Sequence, residues 1–406
     1  MAGVKRRHPP FFLTEPELCV TIFQRNQNGE REGTMQRVER GRGKINQLKE
    51  FAAALGMERP MLVTGSSGKR VLQQVLGDAM QFPVFSDFHS NPDFSDCDQG
   101  RRLYQREGCD GLISLGGGSC MDTAKGIKAQ LLKIFPDEDP ASVRPVEKVP
   151  HLAIPSTAGT GSEATQFSVL YVHGVKRSLS HPSLLPEGVI LDADLLRTLP
   201  LYQKKCCALD ALCQGIESYW AREATEESRV QAYLAIRGVL NHLKAYLAGE
   251  GKAEEEMLEA AFRSGCAIQM TRTTAAHAMS YQLTKQFDMA HGHACMVTLP
   301  FLWARMMEDP VHQPVLRELA RIMGLGSELM VPSFLSGILL SMELPLPRAA
   351  DDQALEQLAD TVNLERLQNH PQVLTRADLM RIYRQALTPL SGSARQVAQD
   401  LWAYYG

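Results

Sequence analysis

The chain has 406 residues, of which 44% are hydrophobic and 22% charged, with a formal net charge of −3. This is the balance of an ordinary soluble protein long enough for two domains, and it offers no electrostatic pull toward nucleic acid or an anionic membrane. No apolar run approaches the roughly 20 residues of a membrane span, and the N-terminus lacks the apolar core of a signal peptide. The basic run Lys5-Arg6-Arg7 is too short to form a patch. Nine cysteines without framework spacing fit a reducing cytoplasm better than a disulfide scaffold.

From the N-terminal side, short β-rich runs alternate with helical stretches. PMLVTG (60–65) reads as a strand and KRVLQQVLGDAM as a helix. FPVFSDF is a second strand, HSNPDFSD (89–96) a loop and QGRRLYQREG a helix. DGLISL (110–115) is a third strand, 121–133 a helix and HLAIPS (151–156) a further strand. Strands separated by helices imply βαβ units and a parallel sheet. Beyond about 203 the pattern is helical, as in ALDALCQGIESYWAREA and ESRVQAYLAIRGVLNHLKAYL. The expected organisation is an extension with a first strand (1–35), an α/β unit (36–199) and an all-helical unit (200–406).

Three loops in the first half could hold a nucleotide. DGLISLGGGSCMDTAKGIKA is a strand, three glycines and a helix. Gly117 and Gly118 let the backbone approach a ligand, Ser119 can cap the helix or touch a phosphate, and the helix N-terminus favours an anion. A ligand-free βα turn has the same composition. LVTGSSGKR (62–70) ends a strand in Gly65, Ser66 and Lys69 without a carboxylate. An NAD site commonly has an acid there for the ribose, so hydroxyls and cations suit the extra phosphate of NADP; a solvated polar turn is the alternative. IPSTAGTGSEATQ (154–166) offers Ser156, Thr157 and Thr160 as neutral hydrogen-bonding groups.

HAMSYQLTKQFDMAHGH (277–293) holds three histidines in seventeen residues. An imidazole pair plus a carboxylate suits Fe²⁺, Zn²⁺ or Mn²⁺. His277 falls in a helical run, and His291 in DMAHGHA, read as a turn in which Gly292 permits a bend. Asp210 and Gln214 stand at i and i+4 on a helix and share a face. Histidines satisfied within a core are the competing reading.

GGGSCMDTAK, PSTAGTGSE and the His277…His291-Gly292 spacing together resemble the group III, iron-containing alcohol dehydrogenases. The resemblance runs from VERGRGKINQL (38–48) through LPEGVILDADLLRTLP (185–200) to NHPQVLTRADLMRIY (369–383). It implies a dehydroquinate-synthase-like fold, with an N-terminal dinucleotide-binding α/β domain and an all-α domain. It also implies metal and cofactor meeting between them, and a homo-oligomer, expected to be a dimer. By position Asp210, His277 and His291 match three metal ligands, with iron(II) favoured over zinc or manganese. The fourth family ligand, a histidine, is replaced by Gln214, whose carbonyl can coordinate more weakly. A further active-site histidine of many members is replaced by Tyr281, so His293 or Tyr281 becomes the candidate proton donor. Asp122, in the motif after the glycines, joins the cofactor residues.

ALDALCQGIESYW with TTAAHAMSY and HGHA is similar to the branch that reduces phosphonoacetaldehyde to 2-hydroxyethylphosphonate. The expected function is a metal-dependent aldehyde reductase using NADPH in preference to NADH. Arg272 and Thr274 are then candidates for an anionic head group, and Lys176 matches a family position of unassigned role. The competing readings are reduction of another small or sulfonated aldehyde, and a nucleotide-binding protein that has lost its metal chemistry.

Overall fold

The computed structural model describes residues 19–25, 31–77, 82–90, 92–136, 143, 148–344 and 351–406. Most of the expected N-terminal extension, and Asn91 of the 89–96 loop, lie outside them.

Nine strands form two sheets among the described residues. The larger contains β1 (Cys19–Arg25), β2 (Arg31–Arg40), β3 (Pro60–Thr64), β4 (Val84–Phe85), β5 (Gly111–Gly116), β6 (His151–Pro155) and β9 (Gly188–Leu191). Their spatial order is β1-β2-β9-β6-β5-β3-β4. Only β1 and β2 pair antiparallel; the others run parallel. β3 and β6 are buried along their whole length, as expected of strands covered on both faces. The helices of this half are α1 (Leu48–Ala54), α2 (Ser66–Leu76), α3 (Phe94–Arg106) and α4 (Gly118–Leu131).

Register fixes what happens at the sheet edge. Thr64 pairs with Leu115, and Gly116 with Pro155. The three loops singled out in the sequence therefore leave the sheet side by side at the carboxyl ends of β3, β5 and β6. That is the crevice where open α/β sheets bind ligands.

The second sheet is a hairpin, β7 (Phe167–Val172) and β8 (Val175–Ser180). Its two-residue turn is His173-Gly174, both with positive φ (51° and 75°), which matches the twist of the flanking strands. The sequence reading placed a first strand within 1–35, where β1 lies, but found neither this hairpin nor β2 and β9.

From Leu201 onward the described chain is helical. α5 (Leu201–Trp220) is followed by α6 (Glu226–Leu247), α7 (Gly251–Thr271), α8 (Ala275–Phe287) and α9 (His291–Met307). α10 to α15 complete the chain between Gln313 and Tyr405. α5 is buried on nearly every side, the mark of a central core helix. No helix among the described residues is long and apolar enough to cross a membrane.

Candidate active site

α5 and α9 meet at Gly292, inside the first turn of α9. A Cβ there would lie 2.0 Å from the Cys206 carbonyl oxygen and 2.7 Å from Asp210 Cβ. The glycine is thus required by close helix contact, which corrects the reading of Gly292 as a bend in a turn. His291 is the first residue of α9, and the contact sets it opposite Asp210.

Asp210 Oδ1 lies 3.2 Å from His277 Nε2 and 4.0 Å from His291 Nε2. The two imidazoles are edge to face, with centroids 5.2 Å apart. Cys295, one turn beyond His291 on α9, places its sulfur 3.9 Å from His291 Nε2. Donor atoms from Asp210, His277, His291 and Cys295 all lie within 4.8 Å of one another.

Supporting residues orient these donors. Glu217, two turns after Asp210 on α5, is fully buried. Its Oε1 accepts from Thr274 N (3.2 Å), Thr274 Oγ1 (2.5 Å) and Ala276 N (2.8 Å). It thereby caps the start of α8, where no cap comes from the N-cap side chain. Its Oε2 pairs with His277 Nδ1, which leaves Nε2 to face the cluster, the usual carboxylate–histidine support of a metal ligand. Ser280 Oγ donates to the His277 carbonyl and stands 3.3 Å from His291 Nδ1.

The electrostatics call for a cation. Burial pushes the Asp210 carboxyl up, but His291 and His277 outweigh it and hold the group below the usual carboxylate range. Burial opposes charge on His277, yet Cys295, Glu217 and Asp210 hold its proton well above the ordinary range. Burial raises the Cys295 thiol, and the two imidazoles bring it down to about 7. The proton retained on His277 stands where a metal ion is the ordinary alternative. Carboxylate oxygen, imidazole nitrogen and sulfur are all transition-metal donors, so the residues fit a divalent metal.

Gln214 lines the same space but turns its amide elsewhere. Its Nε2 donates to Thr160 O at 3.2 Å, and its Oε1 accepts from Ser264 Oγ at 2.8 Å. The carboxamide at the expected fourth ligand position is therefore engaged by the neighbouring loop and α7.

Asp210, His277 and His291 open onto a cavity of about 780 Å³ that reaches the sheet edge. Of the expected cofactor residues, Gly65, Gly117, Gly118, Ser119, Asp122, Ser156, Thr157 and Thr160 line it. Gly117 begins α4 without a side-chain cap, which leaves its first N–H groups for an anion. A Cβ on Gly118 would stand 3.0 Å from Thr160 Cγ2, and one on Gly117 3.2 Å from Thr157 Cγ2. The glycine turn and the 156–161 loop thus nest together. Asp122 accepts from Ser162 Oγ at 3.3 Å, and burial, opposed by Lys125, pushes its carboxyl up to about 6. Ser66 and Lys69 do not line the cavity; both are exposed residues in the first part of α2, which begins at Ser66 in place of an open turn. Ser67 lines it instead.

Two further expectations fail. His293 is fully buried and absent from the cavity wall, its two ring nitrogens have no partner, and burial pushes its pKa down to about 4. Thr274 is buried too, with its hydroxyl given to Glu217 and accepting from Trp220 Nε1 at 3.1 Å. Tyr281 and Arg272 do line the cavity. Arg272 ends α7 with φ 61° and ψ −176°, a region otherwise left to glycine.

Residues 36–193 match the iron-containing alcohol dehydrogenase family, and residues 206–387 match the C-terminal region of the same family. The chain belongs to the iron-containing alcohol dehydrogenases. Among curated relatives, choline dehydrogenase of Bacillus subtilis is 31% identical over 270 residues, 63% of this chain and 67% of that protein. Phosphonoacetaldehyde reductase of Streptomyces viridochromogenes is 37% identical over 203 residues, 47% of this chain and only about half, 51%, of that protein. Sulfoacetaldehyde reductase of Bifidobacterium kashiwanohense, solved in complex with NAD+, superposes with a TM-score of 0.78 at 25% identity, covering 87% of this chain and 97% of that one. An iron-containing alcohol dehydrogenase of Thermotoga maritima gives 0.76 at 29% identity, covering 87% and 98%.

Within this alcohol dehydrogenase, sequence reasoning missed Glu217, Cys295 and Arg366 and left Lys176 without a role. Lys176, on β8, holds its ammonium 4.1 Å from the Tyr281 ring centroid, and the Arg366 guanidinium lies 5.9 Å from the same centroid. Both cations line the cavity.

Proposed function

We propose that this alcohol dehydrogenase reduces a small aldehyde bearing an anionic group, with phosphonoacetaldehyde going to 2-hydroxyethylphosphonate as the leading reaction and NADPH as reductant. The supporting observation is the cationic wall beside the donor cluster. Tyr281 stands 6.4 Å from the His291 ring, and Lys176 and Arg366 flank its faces, with Arg272 in the same cavity. A phosphonate or sulfonate brings the charge such a wall accepts, and two of the similar proteins are named for aldehydes of that kind.

A divalent metal on Asp210, His277 and His291 supplies Lewis acidity toward the carbonyl oxygen when bound. The uncapped start of α4 and the backbone at Gly117 and Gly118 seat the cofactor diphosphate. Among the described residues the acids lining the cavity are Asp122, Asp210 and Asp288, none of them at the β3–α2 junction; this favours NADPH, whose extra phosphate a carboxylate there would repel. Lys176 and Arg366 fix the head group and so orient the aldehyde. Seated there, NADPH would supply a hydride for the carbonyl carbon, and Tyr281, the one of the two expected donors that lines the cavity, would supply from its Oη the proton that completes the alcohol. Eight of the nine cysteines, all but Cys19, are free thiols, which supports a reducing compartment.

The test is NADPH oxidation by iron-loaded and chelator-stripped protein with phosphonoacetaldehyde, sulfoacetaldehyde and uncharged acetaldehyde. Metal-dependent turnover of the anionic aldehydes is expected; turnover of acetaldehyde alone would sink the substrate class. Burial presses the Lys176 ammonium down to about 8. The cation is present below that pH and lost above it, so KM for an anionic aldehyde should rise as pH passes about 8. Lys176→Ala should raise the same KM roughly 10–100-fold, the worth of one charge-assisted hydrogen bond, and abolish that pH dependence.

A further inference from the structure

At the family's fourth ligand position this chain has Gln214, whose carboxamide is engaged by Thr160 and Ser264. α9 offers a further donor to the same cluster. Cys295 stands one helical turn after His291, as Gln214 stands one turn after Asp210, so both pairs share a helix face. Its sulfur is 3.9 Å from His291 Nε2. On a tetrahedral zinc, bonds of about 2.0 Å to nitrogen and about 2.3 Å to sulfur put the two donors about 3.5 Å apart. The four donor atoms, all within 4.8 Å of one another, already approach that spacing.

We propose that Cys295 replaces the missing imidazole, so that the metal of this enzyme is held by one carboxylate, two imidazoles and a thiolate. The inference rests on the reading above that the site holds a divalent metal. As the ion binds, the Sγ–H proton passes to solvent and the sulfur pair forms the metal–sulfur bond, with no change of oxidation state. Asp210, His277 and His291 line the cavity, whereas Cys295 is buried outside its wall. The sulfur therefore enters from the interior side and leaves the cavity side for substrate. A thiolate also softens the donor set, moving its preference from iron toward zinc and cobalt.

The decisive experiment is anaerobic cobalt(II) loading of the metal-free protein, read by its absorption spectrum. The wild type should show visible d–d bands and a near-ultraviolet sulfur-to-cobalt charge-transfer band. Cys295→Ser should keep the d–d bands and lose the charge-transfer band. It should also weaken zinc binding by more than the roughly 10–100-fold that an outer-shell partner contributes. Wild-type d–d bands without charge transfer would overturn the thiolate and leave the proposed function standing. Charge transfer persisting in Cys295→Ser would assign the sulfur to another cysteine and equally overturn it. Failure of the wild type to bind cobalt or iron at all would take the metal reading down as well. The wild-type spectrum alone decides the first point, whatever the folding of the variant.

Discussion

The two ends of the cavity are built by different means. At the sheet edge the protein presents backbone: the glycine turn at 116–118, an uncapped helix start and a loop of small hydroxyl residues nested against it. At the helical end it presents side chains, from α5, α8 and α9, brought within 4.8 Å of one another and oriented by a buried carboxylate. The backbone end needs close approach and free N–H groups, which contiguous short motifs supply. The side-chain end depends on helix packing, so residues that seat the helices and orient the donors control it. Gly292 and Glu217 are such residues.

That contrast can be broken by substitution. His291→Ala should have the largest effect: loss of bound metal and a fall in kcat of at least about 10²–10³-fold, the scale for removing one source of charge stabilisation. Metal analysis and single-turnover kinetics measure it, while fluorescence titration should show cofactor binding unchanged. Retained full turnover would mean the helical end is not where the chemistry occurs. Next comes Glu217→Gln, which removes the carboxylate from His277 but keeps the shape of the side chain. Metal affinity should drop about 10–100-fold, with NADPH affinity again unaffected; a parallel drop in both would show the two ends are not separable. Smaller still is Gly65→Asp. A Cβ there meets nothing within 4 Å, so the acid fits. It should shift the NADPH-to-NADH preference by about tenfold toward NADH and leave metal content alone, as read from the ratio of kcat/KM values.

The same contrast explains what could be read in advance. The three loops at the sheet edge were legible because each is contiguous and its glycines sit at strand ends. Asp210, His277 and His291 were legible through family spacing. Glu217 was not, although it carried a signal: Asp210, Gln214 and Glu217 at i, i+4 and i+7 mark one polar stripe on an otherwise apolar helix. Cys295 had a similar signal in its i+4 relation to His291. The second was hidden by reading His291 as part of a turn. That reading also misplaced His293: in a helix, two residues turn the side chain by about 200°, away from the face His291 uses. Lys176 was noted at a family position but left without a role, because its hairpin, whose short strands left no long apolar run, was not read.

Arg272 carries a standing thermodynamic cost. Its backbone occupies a region that non-glycine residues enter at about 1–3 kcal/mol. Glycine there would recover most of that, less the roughly 0.5–1 kcal/mol lost to its freedom in the unfolded chain and less the interaction the arginine side chain makes. A selection for heat resistance alone would therefore favour Arg272→Gly and discard a cation from the cavity wall. Melting point and turnover of an anionic aldehyde should move in opposite directions at this one position. Evolution toward a hotter habitat could take that route only by giving up part of the enzyme's discrimination.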